Sequence, residues 1–161
     1  MNAKFLYTHF SCVATVRYDP RNTDYHPLVS PTVSYGGAAA RVRGSVLVNL
    51  GKRMIKVLDI NPHTCACLVE PGVSFYTRYE EAQRRGYEHL WIDVPDLGGG
   101  SVLGNTVDRG VCYTPYGNHF ESHSGMEVVF PTGEVIRTGM GALPGNDTWQ
   151  VFAYGFGPYA E

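Results

Sequence analysis

An aspartate leading into three glycines carries the most chemistry in this sequence: Asp93-Val94-Pro95-Asp96-Leu97-Gly98-Gly99-Gly100-Ser101-Val102-Leu103-Gly104-Asn105. Consecutive glycines let the backbone reach positive φ and let amide N–H groups meet a ligand unscreened by side chains. Phosphates and cofactors are bound in that way. Asp96 puts a carboxylate at the mouth of the loop, and Ser101 and Asn105 add short hydrogen-bonding groups behind it. The run is not a Walker loop, because no Gly-Lys-Ser/Thr follows. Nor is it a dinucleotide fingerprint, since Leu103 stands where a glycine is required after Gly98 and Gly100. A tight turn between two elements uses the same residue types, so the loop alone leaves both readings open.

Other stretches carry weaker signals. Gly36-Gly37-Ala38-Ala39-Ala40 offers a second place where something bulky could sit against the backbone, or a small-residue packing seam. Tyr113-Thr114-Pro115-Tyr116-Gly117 sets two tyrosines at a proline-fixed turn, facing a pocket or packed on a loop. His119 and His123 would share a metal only on a helix. Pro115, Gly117 and Gly125 argue against one, and no H-E-x-x-H pattern is present, so no metal is expected. Ser101 lacks the last glycine of a G-x-S-x-G elbow. Four cysteines, Cys12, Cys65, Cys67 and Cys112, are too few and irregular for a disulfide framework. Cys65 and Cys67 lie two apart in an apolar run, which on a strand buries both on one face.

The elements that must position these residues read as α+β. At 161 residues the chain suits one ordinary domain, or a piece of a larger one, burying about two thirds of its unfolded surface. Charged residues make up 17% and the net charge is −2, so no basic field exists to attract nucleic acid or an anionic membrane. No apolar run has membrane-spanning length and the start lacks a long apolar leader, so the expectation is a soluble chain, intracellular rather than secreted. Residues 1–33 lack sustained periodicity, which suggests irregular structure or an isolated strand around Ser11 to Tyr18. Strands are expected at Ser45–Leu50, Ile55–Ile60 and Thr64–Glu70. Between Val73 and Arg85 an amphipathic helix is expected, with Val73, Tyr76, Tyr79 and Ala82 inward, a Glu80–Arg84 pair outward, and Gly86 as its stop. His89 to Asp93 re-enters the interior and delivers the glycine loop. Ser101 to Asp108 then forms a short helix whose N-terminal amides face whatever the loop contacts. Met126–Phe130 and Glu134–Thr138 flank Pro131-Thr132-Gly133 as a hairpin.

Taken in order, the motifs become specific. The glycine stretch is followed by Arg109-Gly110, Tyr113-Thr114-Pro115-Tyr116-Gly117, Gly125-Met126-Glu127-Val128-Val129, Arg137-Thr138-Gly139-Met140-Gly141-Ala142-Leu143-Pro144 and Tyr154-Gly155-Phe156-Gly157-Pro158-Tyr159. Tyr35-Gly36-Gly37-Ala38-Ala39 and Val69-Glu70-Pro71-Gly72-Val73 precede it. This series resembles the FAD-binding domain of the vanillyl-alcohol oxidase and p-cresol methylhydroxylase family, over about residues 35–159.

The resemblance implies a mixed-sheet FAD-binding domain over residues 34–161, incomplete at both ends and without the family's substrate cap domain, with residues 1–33 unassigned. It implies FAD as cofactor and a small para-substituted phenol, such as vanillyl alcohol, a 4-alkylphenol or eugenol, as substrate. The phenol would bind as phenolate and its benzylic carbon would yield hydride to the flavin, leaving a quinone methide for water or rearrangement to resolve. Gly36, Gly37, Asp96, Leu97, Gly98, Gly99, Gly100, Ser101, Gly104, Asn105 and Gly110 would hold FAD. Asp96 would face its reactive nitrogen, and Tyr113 and Tyr35 would line the phenol pocket. A homo-oligomer is compatible with this reading; nucleic acid and membrane partners are not expected. Ser30-Pro31-Thr32-Val33-Ser34 stands where the family carries a Gly-Arg-Asn-x-Gly lead-in, and Cys112 and Asn118 replace a glycine and an aspartate. The alternative is a catalytically silent remnant of such a domain, acting at most as a flavin-binding or interaction module.

Overall fold

The computed structural model describes residues 4–5, 7–10, 25–28, 46–95, 98–113, 117–123, 125–129 and 133–137. The expected strand at Ser11–Tyr18, the Gly36–Ala40 run and the tail from Gly139 lie outside these residues. Nine strands are described: β1 Lys4–Phe5, β2 Tyr7–Phe10, β3 Tyr25–Leu28, β4 Val46–Asn49, β5 Val57–Asn61, β6 Ala66–Val69, β7 Leu90–Trp91, β8 Glu127–Val129 and β9 Val135–Arg137. Two α-helices, α1 Phe75–Arg84 and α2 Val102–Val107, and 3-10 turns at Leu50–Lys52 and His119–Ser122 complete the order. The class is α+β. Among the described residues no helix is long and apolar enough to cross a membrane.

The central sheet is mixed. β6 pairs antiparallel with β5 and parallel with β2, with Tyr7 opposite Ala66 and Phe10 opposite Val69. Parallel pairs β1–β7 and β3–β4 accompany it. The β5–β6 connection closes on Asn61, whose side-chain oxygen accepts from the amides of His63 and Thr64 at 2.9 and 3.2 Å. Such a turn is the reason an asparagine ends a strand well. Cys65 lies in this turn at φ 57° rather than on the strand, yet both it and Cys67 are buried.

Helix α1 follows from its ends. Ser74 is extended at the N-cap and its hydroxyl accepts from the Thr77 amide at 3.0 Å. At the other end Gly86 takes φ +78°, with Gly86 N–H donating to Gln83 O and Tyr87 N–H to Ala82 O, both at 2.9 Å. This is a Schellman stop, which needs a residue able to enter the left-handed region. The inward face is Phe75, Arg78 and Ala82, whereas Tyr76 and Tyr79 are exposed. That corrects the expected stripe of Val73, Tyr76, Tyr79 and Ala82. Each three-residue step falls about 60° short of a full turn, so four such positions wind halfway round a helix instead of sharing a face. Glu81, not Glu80, takes the arginines: Arg84 and Arg85 reach it at 2.6 and 2.7 Å.

The core joins the sheet to both helices through Ile60, Cys67, Val69, Val73, Phe75, Ala82, Leu90, Val102 and Leu103. Gly72 brings the Pro71-Gly72 turn against the first 3-10 turn so closely that a Cβ would lie 2.6 Å from Gly51 Cα and Met54 O. The predicted hairpin is present as β8–β9, with Gly133 at φ +88° and a cross-strand ion pair of 2.7 Å between Arg137 and Glu127.

Candidate functional site

The glycine loop is docked on the N-terminus of α1 by its carbonyls. Gly100 O accepts from Phe75 N–H at 3.2 Å and Gly98 O from Tyr76 N–H at 3.1 Å, beside a Ser74–Ser101 β-bridge. In a trans peptide the C=O of one residue and the N–H of the next point in opposite directions. The amides of Gly99 and Ser101 therefore point away from α1. Among the described residues they donate to no backbone group. A Cβ built on Gly99 meets nothing within 4 Å, while one on Gly98 would strike the Tyr76 ring and a Val94 methyl at 2.7 Å. Gly98 thus serves close packing, and Gly99 opens the backbone to a ligand.

Other predicted site residues fall behind the loop. Ser101 is buried and caps α2: its hydroxyl donates to Pro71 O at 2.7 Å and accepts from Gly104 N–H at 3.1 Å. Two of the first three amides of α2 are spent, Val102 on Val73 O and Gly104 on Ser101 Oγ, so these two do not face a ligand as the sequence suggested. Asn105 Oδ1 lies in hydrogen-bond contact with His119 Nδ1. The Asn105 side chain also stands where a Cβ of Gly110 would be, and Gly110 O accepts from His119 N–H at 3.1 Å. Tyr113 is 95% exposed. Asp96, Leu97, Tyr35, Gly36 and Gly37 lie outside the described residues, as do Thr114, Pro115 and Tyr116.

A polar cluster that the sequence did not single out underlies the loop. Arg78 is 4% exposed on the core side of α1, donates through Nη2 to Asp93 O at 2.7 Å, and lies over the Phe75 ring at 4.9 Å. Burial pulls its pKa below the ordinary arginine value, against the opposing pull of Cys67 and Asp93. Burial likewise pushes the Cys67 thiol up to about 11. Asp93 accepts from Cys112 Sγ at 2.7 Å on both carboxylate oxygens, and its Oδ2 lies 3.3 Å from His119 Nε2. Burial holds His119 below its ordinary pKa, with Asp93 opposing. Between these groups is a cavity of about 20 Å³ lined by Phe75, Arg78, Asp93, Val102, Thr106, His119 and Ser122, room for about one water. The clue to Arg78 was its place in the Phe75–Arg78–Ala82 spacing.

A glycine loop that turns its carbonyls to a helix and its amides away from it, in a mixed α+β frame, suits a domain that holds a cofactor. The FAD binding domain family model matches residues 16–139, and the chain belongs to that family. It is 50% identical over 125 residues to the 4-cresol dehydrogenase [hydroxylating] flavoprotein subunit of Pseudomonas putida, covering 77% of this chain and 24% of that one. It is 30% identical over 127 residues to 1'-carboxy-chondrochloren decarboxylase of Chondromyces crocatus, covering 79% and 23%. Among solved structures, p-cresol methylhydroxylase with substrate bound superposes with TM-score 0.72 at 42% identity, covering 84% of this chain and 26% of that one. The 4-ethylphenol oxidase of Gulosibacter chungangensis in its isoeugenol complex gives 0.73 at 45%, with the same coverage. The chain thus spans about a quarter of the length of these relatives. The family's cofactor is FAD, and the residues present fit it: the Gly99 amide, turned away from α1 and without a backbone acceptor among the described residues, is a donor for its oxygens, on a Gly99 that leaves room for close approach.

Proposed function

We propose that this chain is the FAD-holding part of an oxidoreductase that takes hydride from para-substituted phenols such as vanillyl alcohol, 4-alkylphenols or eugenol. The observation that carries the reading is the Gly99 amide turned away from α1 on an open backbone, in a chain 50% identical over 125 residues to a 4-cresol dehydrogenase subunit. When bound, FAD supplies the two-electron acceptor for the hydride.

The rest is the work of side chains and backbone. Gly99, Gly100 and Ser101, with Gly36, Gly37 and Leu97, present backbone to the cofactor. Gly98, Gly104, Asn105 and Gly110 keep the loop in place through the packing and hydrogen bonds described above. Asp96, two residues before Gly98 in the sequence, supplies a carboxylate beside the cofactor in this reading. Negative charge there stabilises the positive charge that develops at the benzylic carbon as hydride departs. Tyr113 and Tyr35 offer phenolic groups to the substrate ring.

The test is direct. Purified chain is expected to keep flavin absorbance through gel filtration, and anaerobic vanillyl alcohol or 4-ethylphenol is expected to bleach it. Asp96→Ala is expected to slow bleaching more than tenfold, or more than about 1.4 kcal/mol on the barrier. Colourless protein would overturn the cofactor assignment. An unchanged bleaching rate would remove Asp96 from the chemistry.

A further inference from the structure

We propose that Asp93, Cys112 and His119 form a binding site for one zinc-like divalent metal ion beneath the glycine loop. The three residues come from separate segments: two positions after β7, the stretch following α2, and the start of the second 3-10 turn. Their donor atoms, a carboxylate oxygen, a thiol sulfur and an imidazole nitrogen, all lie within 4.8 Å of one another. Oxygen, sulfur and nitrogen together are a donor set that zinc accepts, commonly as three protein ligands with a water in the fourth position.

The hydrogen-bond pattern independently calls for a positive centre. His119 Nδ1 faces Asn105 Oδ1, an acceptor, so in the neutral ring Nδ1 carries the hydrogen and Nε2 is left with a bare lone pair. That lone pair faces Asp93 Oδ2 at 3.3 Å. Two acceptors across so short a gap repel unless a cation lies between them. A metal-bound histidine has this signature, its second ring nitrogen donating to an oxygen that fixes the ring. Asn105 is itself held, because its side chain fills the space that a Cβ on Gly110 would need.

The surroundings complete the site. The cavity of about 20 Å³ touches both Asp93 and His119 and can take the water that fills the fourth position. A thiolate and a carboxylate cancel the charge of a dication, so the neighbouring Arg78 guanidinium faces a neutral assembly rather than a second cation. The metal would tie Asp93, three residues before Asp96, to the segments at 112 and 119. Its role is therefore to hold the entry to the glycine loop. His119 enters this site without His123, its partner in the sequence pattern. The proposal is independent of the proposed redox function.

The experiment titrates the purified 161-residue chain with Co²⁺ and reads the near-ultraviolet thiolate-to-cobalt charge-transfer band. One equivalent of Co²⁺ is expected to develop the band, and Zn²⁺ to abolish it by displacement. Cys112→Ser is expected to remove the band, and His119→Gln to weaken binding at least tenfold, while Cys65→Ala retains both. Wild-type protein gives a second readout free of any folding defect in the variants: its melting temperature is expected to fall on treatment with a chelator and to recover with Zn²⁺. Absence of the band in wild-type protein, its persistence in Cys112→Ser, or a melting temperature indifferent to chelator and Zn²⁺ would overturn the site. A proton shared between Asp93 and His119 would then be the positive centre.

Discussion

Replacing Ser101 with alanine separates the architecture of the loop from its ligand chemistry. The Ser101 hydroxyl makes two buried contacts at once, accepting from Gly104 N–H at 3.1 Å to cap α2 and donating to Pro71 O at 2.7 Å. Loss of a serine N-cap costs about 1 kcal/mol. Leaving the buried Pro71 carbonyl without its donor adds about 1–3 kcal/mol. The sum is about 2–4 kcal/mol of folding stability, a large part of what a small domain has. Urea unfolding of Ser101→Ala against wild type measures it, and Ser101→Thr, which keeps the hydroxyl, is expected to recover most of the loss. FAD affinity measured well below the unfolding midpoint is expected to change little, since the hydroxyl is turned to Pro71 and α2 and not to the open side of the loop. A stability change below about 0.5 kcal/mol, or a large loss of FAD affinity at unchanged stability, would refute the assignment of the hydroxyl to the cap.

Gly99→Ala is expected to behave in the opposite way: its Cβ meets nothing within 4 Å, so stability stays within about 0.5 kcal/mol. A methyl group on the open side of the loop is expected to weaken FAD binding about tenfold, or about 1.4 kcal/mol, read by flavin fluorescence titration; unchanged affinity would place the cofactor elsewhere. At the far end of α1, hydrogen bonds from Arg84 and then Arg85 hold the Glu81 carboxyl down at about 2, below its ordinary 4.5. A carboxyl depressed on folding stabilises fully above the unfolded value and loses that contribution as pH falls through the folded one. Wild type is therefore expected to be more stable than Glu81→Gln near neutrality, the gap closing from about pH 4.5 down to about pH 2; a gap that does not close would exclude the pairing as its source.

Local rules made much of the frame beyond residue 45 legible, whereas β1, β2 and β3 lie within residues 1–33, where the sequence shows no sustained periodicity and no strand is expected at their positions. The turn chemistry of Asn61, the Ser74 cap, the Gly86 stop and the Gly133 turn each depend on a few neighbouring residues, and so the strands and helices they bound could be read from spacing. The inward face of α1 could not, because hydrophobicity ranked Tyr76 and Tyr79 above Arg78. Tertiary context reversed that order by giving Arg78 a carbonyl at Asp93, a ring at Phe75 and a thiol at Cys67. The cluster of Asp93, Cys112 and His119 was hidden for a different reason. Its contacts join residues 19 and 26 positions apart, while ligand spacing in a sequence reveals only pairs that one element presents together. His119 and His123 formed such a pair in the sequence, but the 3-10 turn ends at Ser122 between them.

The glycine loop joins these levels through the geometry of one peptide unit repeated. Helix α1 alone could offer an anion its first N–H groups, but Phe75 and Tyr76 have spent theirs on Gly100 and Gly98. Each of those bonds polarises a peptide whose N–H lies on the opposite side. The donor at Gly99 is coupled in this way to Tyr76, and the donor at Ser101 to Phe75. Chains of hydrogen bonds strengthen one another in a low-dielectric interior, so the field of the helix reaches the outer face of the loop instead of ending at the helix. A side chain at Gly98 would force Tyr76 and Val94 away and break the first link. A side chain at Gly99 would leave both links intact and obstruct only what approaches from outside. The two glycines are thus needed for separable reasons, one to keep the loop on its helix and the other to keep it open to the cofactor.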